Sequence, residues 1–183
     1  VSNASASGTV SGRAYVGGLV GQAAGTNTTL TDVSATGTVT NTTVNSVAGG
    51  LVGYASGAGV LRGQASGTVT GGSYAGGLVG YLDSNGSLRD SVASGNVSGA
   101  ATAGGLAGYV NGTGLIADST ANGSVTGSAA NSGSVGGLVG ASHMAGGISG
   151  SAVTDAASWV YHAGGLVGYC NTTGSITTST VRG

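Results

Sequence analysis

Few residues of this 183-residue chain could do acid–base or metal chemistry, since it contains five Asp, two His, one Cys and no Glu or Lys. Asp32, Asp90 and Asp118 recur, each two residues after an apolar residue. Such a series is typical of a row of calcium ligands or of paired catalytic acids. It is more typical of a repeated turn, because Asp bonds its own backbone there. We favour the turn, since other copies of the pattern lack Asp.

The remaining candidate ligands predict no metal or cofactor site. The spacing of a standard transition-metal site is missing among the four residues with suitable side chains, His143, Met144, His162 and Cys170. The single cysteine cannot form an internal disulfide. The glycine-rich segments are not phosphate loops, because the chain has no Lys. We therefore expect no catalytic, cofactor-binding or metal-binding residues and a protein that is not an enzyme.

Charge is scarce throughout the chain. Only 5% of residues are charged and the net charge is −1, against about 25% charged residues in an average protein. No basic region exists to hold a phosphate backbone, so we do not expect nucleic-acid binding. No apolar run approaches the roughly 20 residues of a membrane-spanning helix. We therefore expect no transmembrane segment.

A short glycine-rich motif repeats along the chain. Its spacings are 32, 27, 28, 32 and 28 residues, which indicates a repeat architecture with a unit of about 28 residues. The motif is GGLVG, once GGLAG, and it begins at Gly17, Gly49, Gly76, Gly104, Gly136 and Gly164. We interpret it as a strand in which Leu contributes to the core and the glycines permit a tight corner and close approach of neighbouring units.

Each unit also contains a longer stretch that alternates with a period of two. Ala35, Gly37 and Val39 alternate with hydroxyl residues, which is typical of a half-buried strand. An apolar residue precedes this stretch in each unit, at Leu30, Leu61, Leu88, Ile116, Ile148 and Ile176. We predict an all-β, parallel β-solenoid in one array over residues 1–183, with a partial coil at 1–16. About six coils begin near residues 17, 49, 76, 104, 136 and 164, each with roughly three short strands, and their stacking creates the core.

The polar side of the alternating stretch is the candidate binding face. Stacked coils would present it as a flat, nearly uncharged sheet of hydroxyl and amide groups. The array resembles the ice-binding face of antifreeze solenoids, although any exposed β-face favours Thr. The candidate residues are Ser34, Thr36, Thr38, Thr40, Ser66, Thr68, Thr70, Ser94, Asn96, Ser98, Asn122, Ser124 and Thr126.

Two further surfaces are predicted. If Leu of the motif points inward, alternation turns the following Val and Tyr outward, and an apolar assembly stripe would form from Val52, Tyr54, Val79, Tyr81 and Tyr109. Asn-x-Ser/Thr triplets in the corner after the motif are candidate N-glycosylation sites. These are Asn27, Asn85, Asn111 and Asn171.

The order of these features resembles the GLUG motif. The resemblance lies in Gly-Leu-Val-Gly, then Tyr and a polar corner, then QASGTVTG from Gln64 or SVASGNVSG from Ser91, and it runs from about Ser5 to Val181. GLUG repeats occur in secreted or surface adhesins and in IgA-specific metallopeptidases. The chain has no His-Glu-x-x-His run, so no catalytic residue of a peptidase carries over.

The resemblance implies an extracellular, cell-surface location and a structural or adhesive role. The partner would be another copy, a surface protein or a glycan. Ice binding is one alternative, and a passive spacer attached to a secreted peptidase is another. The end coils lack obvious polar caps, which solenoids need, so we expect a segment of a longer chain or one that stacks end to end.

Overall fold

The computed structural model describes residues 1–41, 43–99, 101–127, 133–155, 157–158 and 161–182. In these residues the chain winds as a parallel β-solenoid of about six coils, and each strand pairs in parallel with its equivalents in the neighbouring coils. The predicted fold class and repeat length are confirmed. The predicted three strands per coil are wrong, because the described part of the chain forms five parallel sheets, with about five strands in each coil.

The five sheets are numbered in the order in which the chain first enters them. Sheet 1 consists of Ser5–Ala6, Ser34–Ala35, Gln64–Ala65, Val92–Ala93, Thr120–Ala121, Ala152–Val153 and Thr180–Val181. Sheet 2 consists of Val10–Gly12, Val39–Asn41, Val69–Gly71, Val97–Gly99, Val125–Gly127 and Ala157–Ser158. Sheet 3 consists of Tyr15–Gly17, Val47–Gly49, Tyr74–Gly76, Thr102–Gly104, Ser134–Gly136 and His162–Gly164.

The other two sheets complete each coil before the chain returns to sheet 1. Sheet 4 consists of Val20–Ala24, Val52–Ser56, Val79–Asp83, Ala107–Gly112, Val139–Met144 and Val167–Cys170. Sheet 5 consists of Thr29–Thr31, Gly59–Leu61, Ser87–Arg89, Leu115–Ala117, Gly147–Ser149 and Ser175–Thr177. No helix in the described ranges is both long and apolar enough to cross a membrane.

The repeated pentapeptide is a bend rather than a strand. Its first glycine ends a strand of sheet 3, its second glycine and Leu form the bend, and its Val begins a strand of sheet 4. A Cβ on the second glycine of one copy, Gly77, would lie 2.0 Å from the carbonyl oxygen of Gly105 in the next coil. We call this bend the glycine corner. The close approach of coils that we predicted for these glycines is present.

A second glycine divides the alternating stretch into two strands. The chain bends at Gly37, between a strand of sheet 1 and a strand of sheet 2. A Cβ on Gly37 would lie 2.0 Å from the carbonyl oxygen of Gly8 in the preceding coil. Periodicity alone did not reveal this bend, because Ala35, Gly37 and Val39 all remain buried across it.

The core consists of columns of like residues, one from each coil. Leu51, Leu78, Leu106 and Leu138 of the glycine corner are fully buried, with exposed fractions of 0%. Burying one such Leu stabilises the fold by about 1.5–3 kcal/mol. In sheet 5 the apolar position that we assigned to Leu61 belongs to its neighbour Val60, which pairs with Leu30 and Leu88 in the core column, whereas Leu61 is half-buried. A second, smaller column joins valines of sheet 2 to small residues of sheet 3.

The corner between sheets 5 and 1 uses a left-handed backbone. Its residues have φ between 48° and 55°, and they are Asn3, Asp32, Arg62, Asp90, Asp118, Gly150 and Thr178. We call it the left-handed corner. Asn and Asp tolerate this conformation better than most residues, so the recurring aspartates lie at a corner as we expected. The bond to the local backbone that we expected is not the one at Asp32, whose carboxylate accepts hydrogen bonds from Arg62.

Candidate functional site: a hydroxyl face and an aromatic ladder

The thirteen residues of the candidate binding face all lie on the outside of sheets 1 and 2 or of the bends between these two sheets. Each is exposed or half-buried, whereas the residues that alternate with them are buried. Val39, for example, has an exposed fraction of 0%, and Ala35 one of 1%. We call this surface the hydroxyl face.

Register in sheet 2 aligns hydroxyl groups from coil to coil. Thr40 pairs with Thr70, Thr70 with Ser98, and Ser98 with Thr126. The column extends at both ends, to Ser11 and Ser158. Neighbouring coils lie about 4.8 Å apart, so these positions form one row of hydroxyl groups with that repeat.

The hydroxyl face differs from the single flat sheet that we expected. It spans two sheets that meet at a bend in each coil, at Gly37, Gly67, Gly95 and Gly123. The part on sheet 1 is also less uniform, because Ser34, Gln64 and Val92 occupy equivalent positions. The regular hydroxyl row is therefore confined to sheet 2, since only there does every coil supply Ser or Thr.

Two amides of the hydroxyl face bond to the neighbouring coil. The Oδ1 atom of Asn96 accepts a hydrogen bond from the backbone N–H of Ser124, at 3.1 Å. The hydroxyl of Thr154 donates to Oδ1 of Asn122, at 3.0 Å. These side chains connect successive coils, so the surface is partly tied together by its own polar groups.

A buried serine column lies beneath the left-handed corner and was missed by the sequence analysis. Backbone N–H groups of Ser91, Ser119 and Ser151 each donate to the hydroxyl of the equivalent serine in the next coil, at 3.2–3.3 Å. Each hydroxyl in turn donates to a carbonyl two residues earlier, as Ser119 does to Ala117 at 2.8 Å. The available signal was a Ser directly after each left-handed residue from Asp90 onward.

The predicted assembly stripe is partly misplaced. Val52 and Val79 do not face outward, since their exposed fractions are 0%. The reason is that sheet 4 does not keep a strict period of two: Val79 and Leu82 are both buried, with two residues between them, and Tyr81 is half-exposed. The tyrosines of the stripe do lie at the surface, without the valines.

Those tyrosines belong to a larger array of stacked rings, which we call the aromatic ladder. It contains all seven tyrosines and both histidines of the chain, with neighbouring ring centroids 4.5–5.6 Å apart. Such separations are typical of favourable aromatic pairs. The members are Tyr15, Tyr54, Tyr74, Tyr81, Tyr109, Tyr161, Tyr169, His143 and His162.

Two segments of the chain, residues 12–40 and 71–98, match the model of the GLUG motif. The chain carries GLUG-motif repeats. Each matched segment begins at the end of a sheet 2 strand and continues through sheets 3, 4, 5 and 1 into the next strand of sheet 2. One GLUG motif is therefore one coil, and the resemblance drawn from the sequence is confirmed. No curated protein and no solved structure matches the chain.

The aromatic ladder crosses a gap in the GLUG repeat. Ala141 occupies the sheet 4 position that is Tyr109 in the preceding coil and Tyr169 in the following coil. His143, two residues further on, fills the space, with its ring 5.2 Å from that of Tyr109 and 5.5 Å from that of Tyr169. The array of rings is therefore continuous although the repeat is not.

Asp83 anchors the polar edge of the aromatic ladder. It accepts hydrogen bonds from the Tyr54 hydroxyl at 2.9 Å, the Asn111 amide at 3.0 Å and the Ser84 backbone at 2.8 Å. Burial alone would raise the pKa of Asp83, but these three bonds together lower it. The carboxylate therefore stays ionised beside the rings at neutral pH.

The phenols beside Asp83 hold their protons strongly. Partial burial, with the negative charge of Asp83, raises the pKa of Tyr81 to about 12. Burial and the bond to Asp83 raise the pKa of Tyr54, and burial with the neighbouring Tyr74 raises that of Tyr109. These tyrosines are neutral across the physiological pH range.

The four candidate glycosylation residues are all exposed. They are Asn27, Asn85, Asn111 and Asn171. Asn85 lies in a turn closed by a hydrogen bond from Gly86 to Asp83, whereas Asn111 lies within a strand. No group of three or more His, Cys or Asp side chains is arranged to hold a metal ion within the described ranges.

Proposed function

We propose that these GLUG coils are a non-enzymatic, extracellular segment of a cell-surface protein or filament with a structural and adhesive role. The hydroxyl row of sheet 2 carries the proposal, because Ser or Thr occupies this outward position in six successive coils from Ser11 to Ser158. Its partner in this proposal is a neutral glycan surface.

The chemistry of the row supports a neutral, polyhydroxylated partner. A Ser or Thr hydroxyl both donates and accepts hydrogen bonds, as sugar hydroxyls do, and the hydroxyl face has few charges to select a charged ligand. One such bond contributes only about 0.5–1.5 kcal/mol. Repetition along the solenoid compensates, because each contact raises the effective concentration of the next.

The extracellular location is supported by the exposed triplet asparagines and by the properties of the adhesins that carry GLUG repeats. A glycan on Asn85 would project from an exposed turn without entering a strand. Mass spectrometry of the protein from its natural source tests this part of the proposal. Occupied Asn85 supports an extracellular location, and unmodified asparagines throughout would remove that support.

Binding to immobilised neutral polysaccharides tests the adhesive role. Thr40→Lys together with Thr70→Lys places two charges in the centre of the hydroxyl row, and we expect binding to be lost. Thr177→Lys is the matched control, since Thr177 is an exposed residue of sheet 5 and belongs to no Asn-x-Ser/Thr triplet. Equal binding by both variants would contradict a role for the hydroxyl row. Retention on a second copy or on a protein surface alone would contradict the glycan partner.

Ice is the second candidate ligand, and the regular hydroxyl row of sheet 2 is the observation that favours it. An ice-recrystallisation assay with the same variants decides between the two ligands. Inhibition of crystal growth that disappears on Thr70→Lys would favour ice. A chain that neither binds polysaccharide nor inhibits crystal growth would leave the third function, a passive spacer.

A further inference from the structure

The aromatic ladder offers a chemistry that the hydroxyl face lacks. Tyrosine is among the few side chains that lose one electron to a moderate oxidant, and its radical can accept an electron from a neighbouring phenol. Electron exchange is fast only when rings are close. All seven tyrosines of the chain lie in this one array, which crosses six coils and hence roughly 24 Å.

Oxidation of a neutral phenol requires a base for its proton. Tyr54 has one, because its hydroxyl donates to Oδ2 of Asp83 at 2.9 Å. Two further hydrogen bonds hold that carboxylate in place, from the Asn111 amide and the Ser84 backbone. Tyr54 is therefore arranged to lose an electron and a proton together.

The ends of the aromatic ladder differ from its middle. Tyr15 is 45% exposed and Tyr161 is 63% exposed, whereas Tyr54, Tyr81 and Tyr109 are half-buried. An exposed phenol can release its proton to water, and its ring is accessible to a second molecule. A radical that moves along the ladder therefore becomes available for coupling at the ends.

We propose that the aromatic ladder is a redox relay, which carries an oxidising equivalent from a one-electron oxidant along the solenoid to the exposed tyrosines at its ends. The oxidant belongs to the class of peroxidase intermediates or photochemically generated metal complexes. The relay goes beyond the adhesive function and does not depend on it, since the hydroxyl face takes no part.

Transfer toward Tyr15 begins at Tyr54. The oxidant takes one electron from Tyr54, and the phenolic proton moves to Asp83. Tyr54 then regains an electron from Tyr15, 4.9 Å away between ring centroids, and its proton from Asp83, while Tyr15 releases a proton to water. Two such radicals on two copies form a carbon–carbon bond between their ortho positions. The displaced ring hydrogens move to the phenol oxygens, so two electrons and two protons are lost in total.

His143 supports the relay without being oxidised. Its ring contacts those of Tyr109 and Tyr169, which Ala141 would otherwise separate. An electron passing between the two tyrosines tunnels through a ring in contact rather than through solvent.

The exposed Cys170 gives the protein its own attachment point for a test. It follows Tyr169 directly, so a ruthenium polypyridyl photo-oxidant on this thiol injects the hole at one end of the aromatic ladder. Trp159→Phe removes the indole, which is oxidised about as easily as a phenol and would otherwise compete for the hole. After flash oxidation, mass spectrometry measures spin-trap adducts or dityrosine at Tyr15.

We expect the adduct at Tyr15 to form and to be lost on Tyr81→Leu, because this change removes the ring contacts to Tyr54, Tyr74 and Tyr109. Tyr81→Phe is the second interruption. It keeps the ring and the packing while removing the oxidisable phenol, so the electron must tunnel past this position as it does at His143. The adduct should therefore be reduced, which tests the relay even if Tyr81→Leu fails to fold. Tyr161→Leu is the matched control, which shortens the ladder beyond Tyr169 and should leave the adduct at Tyr15 unchanged.

Two results would overturn the relay. One is oxidation that stays at Tyr169 in the parent protein. The other is an adduct at Tyr15 that persists undiminished when Tyr81 is replaced by Leu or Phe, since the hole would then reach Tyr15 without the ladder.

Discussion

The glycine corner and the left-handed corner both turn the chain of a GLUG coil sharply, but they do so by different means. None of the described motif glycines at the glycine corner has a left-handed φ. Glycine is required there because the backbone of the neighbouring coil occupies the space that a side chain would need. A Cβ added to Gly77 would lie only 2.0 Å from the carbonyl oxygen of Gly105. The left-handed corner has the opposite properties, since Asp90 and Arg62 have positive φ and exposed side chains.

The difference explains which part of the repeat is constant. A contact between backbones admits no side chain, so all six glycine corners have two glycines. A left-handed dihedral angle only makes some residues more costly than others. Asn, Asp, Arg, Gly and Thr therefore occur at the left-handed corner. Sequence constancy in this solenoid indicates contact between coils, and it does not by itself indicate a functional site.

Gly77→Val, at the glycine corner, is expected to reduce the stability of the fold more than any change at the left-handed corner. The added side chain meets the backbone of the next coil, which cannot move without breaking its own pairing, so we expect a loss of more than about 4 kcal/mol or failure to fold. Urea denaturation followed by circular dichroism measures it. Gly8→Val is the control, because no atom lies within 4 Å of a Cβ there. Similar losses for both variants would contradict the contact argument.

Ser119→Ala tests the hydrogen bonds that support the left-handed corner from inside. Removing this hydroxyl leaves the buried N–H of Ser91 without its acceptor, at an expected cost of about 1–3 kcal/mol. The same denaturation experiment measures the change. Ser94→Ala, on the exposed side of the chain, should change stability by less than about 0.5 kcal/mol. A loss no larger than that of the control would show that the serine column is dispensable.

Asp90→Val tests the dihedral angle of the left-handed corner directly. A β-branched side chain at φ 50° should cost about 1–2 kcal/mol, although the position is exposed. Asp90→Asn is the matched control and should be nearly neutral, because Asn tolerates this conformation. The melting temperature is the readout, and an unchanged value for the valine variant would refute the dihedral explanation.

The smallest expected effect is electrostatic. Arg62 donates to both carboxylate oxygens of Asp32, at 2.6 and 2.9 Å. These hydrogen bonds and the positive charge of Arg62, opposed by desolvation, lower the pKa of Asp32 below its ordinary 3.8. A carboxyl group whose pKa is lower in the folded state than in the unfolded state stabilises the folded state at pH values above 3.8. This contribution is lost as the pH falls through the pKa of Asp32 in the folded state. The ion pair is exposed, so the effect on stability should be slight.

An NMR titration of Asp32 measures the effect. Arg62→Ala should return the pKa of Asp32 toward 3.8, whereas Arg13→Ala should leave it unchanged. An Asp32 pKa that is unchanged in the Arg62→Ala variant would show that the ion pair does not persist in solution.

The sequence by itself determined the repeat, its length and the class of fold. The spacing of the motif gives the number of residues in one coil directly. The alternation around Val39 assigns inward and outward residues correctly, because one face of a half-buried strand must be apolar. The recurring aspartates also predicted a turn, since their type and position relative to the apolar residues are local properties of the chain.

Only the tertiary structure decided the number of strands, the course of sheet 4 and the aromatic ladder. The bends at Gly37 and Gly77 depend on backbone atoms one coil away, and no local pattern contains that information. Val79 and Leu82 are both buried and Tyr81 between them is half-exposed, so sheet 4 departs from the strict alternation that a sequence pattern assumes. The aromatic ladder likewise joins residues from different coils at unequal spacings, so its continuity exists only after the coils have stacked.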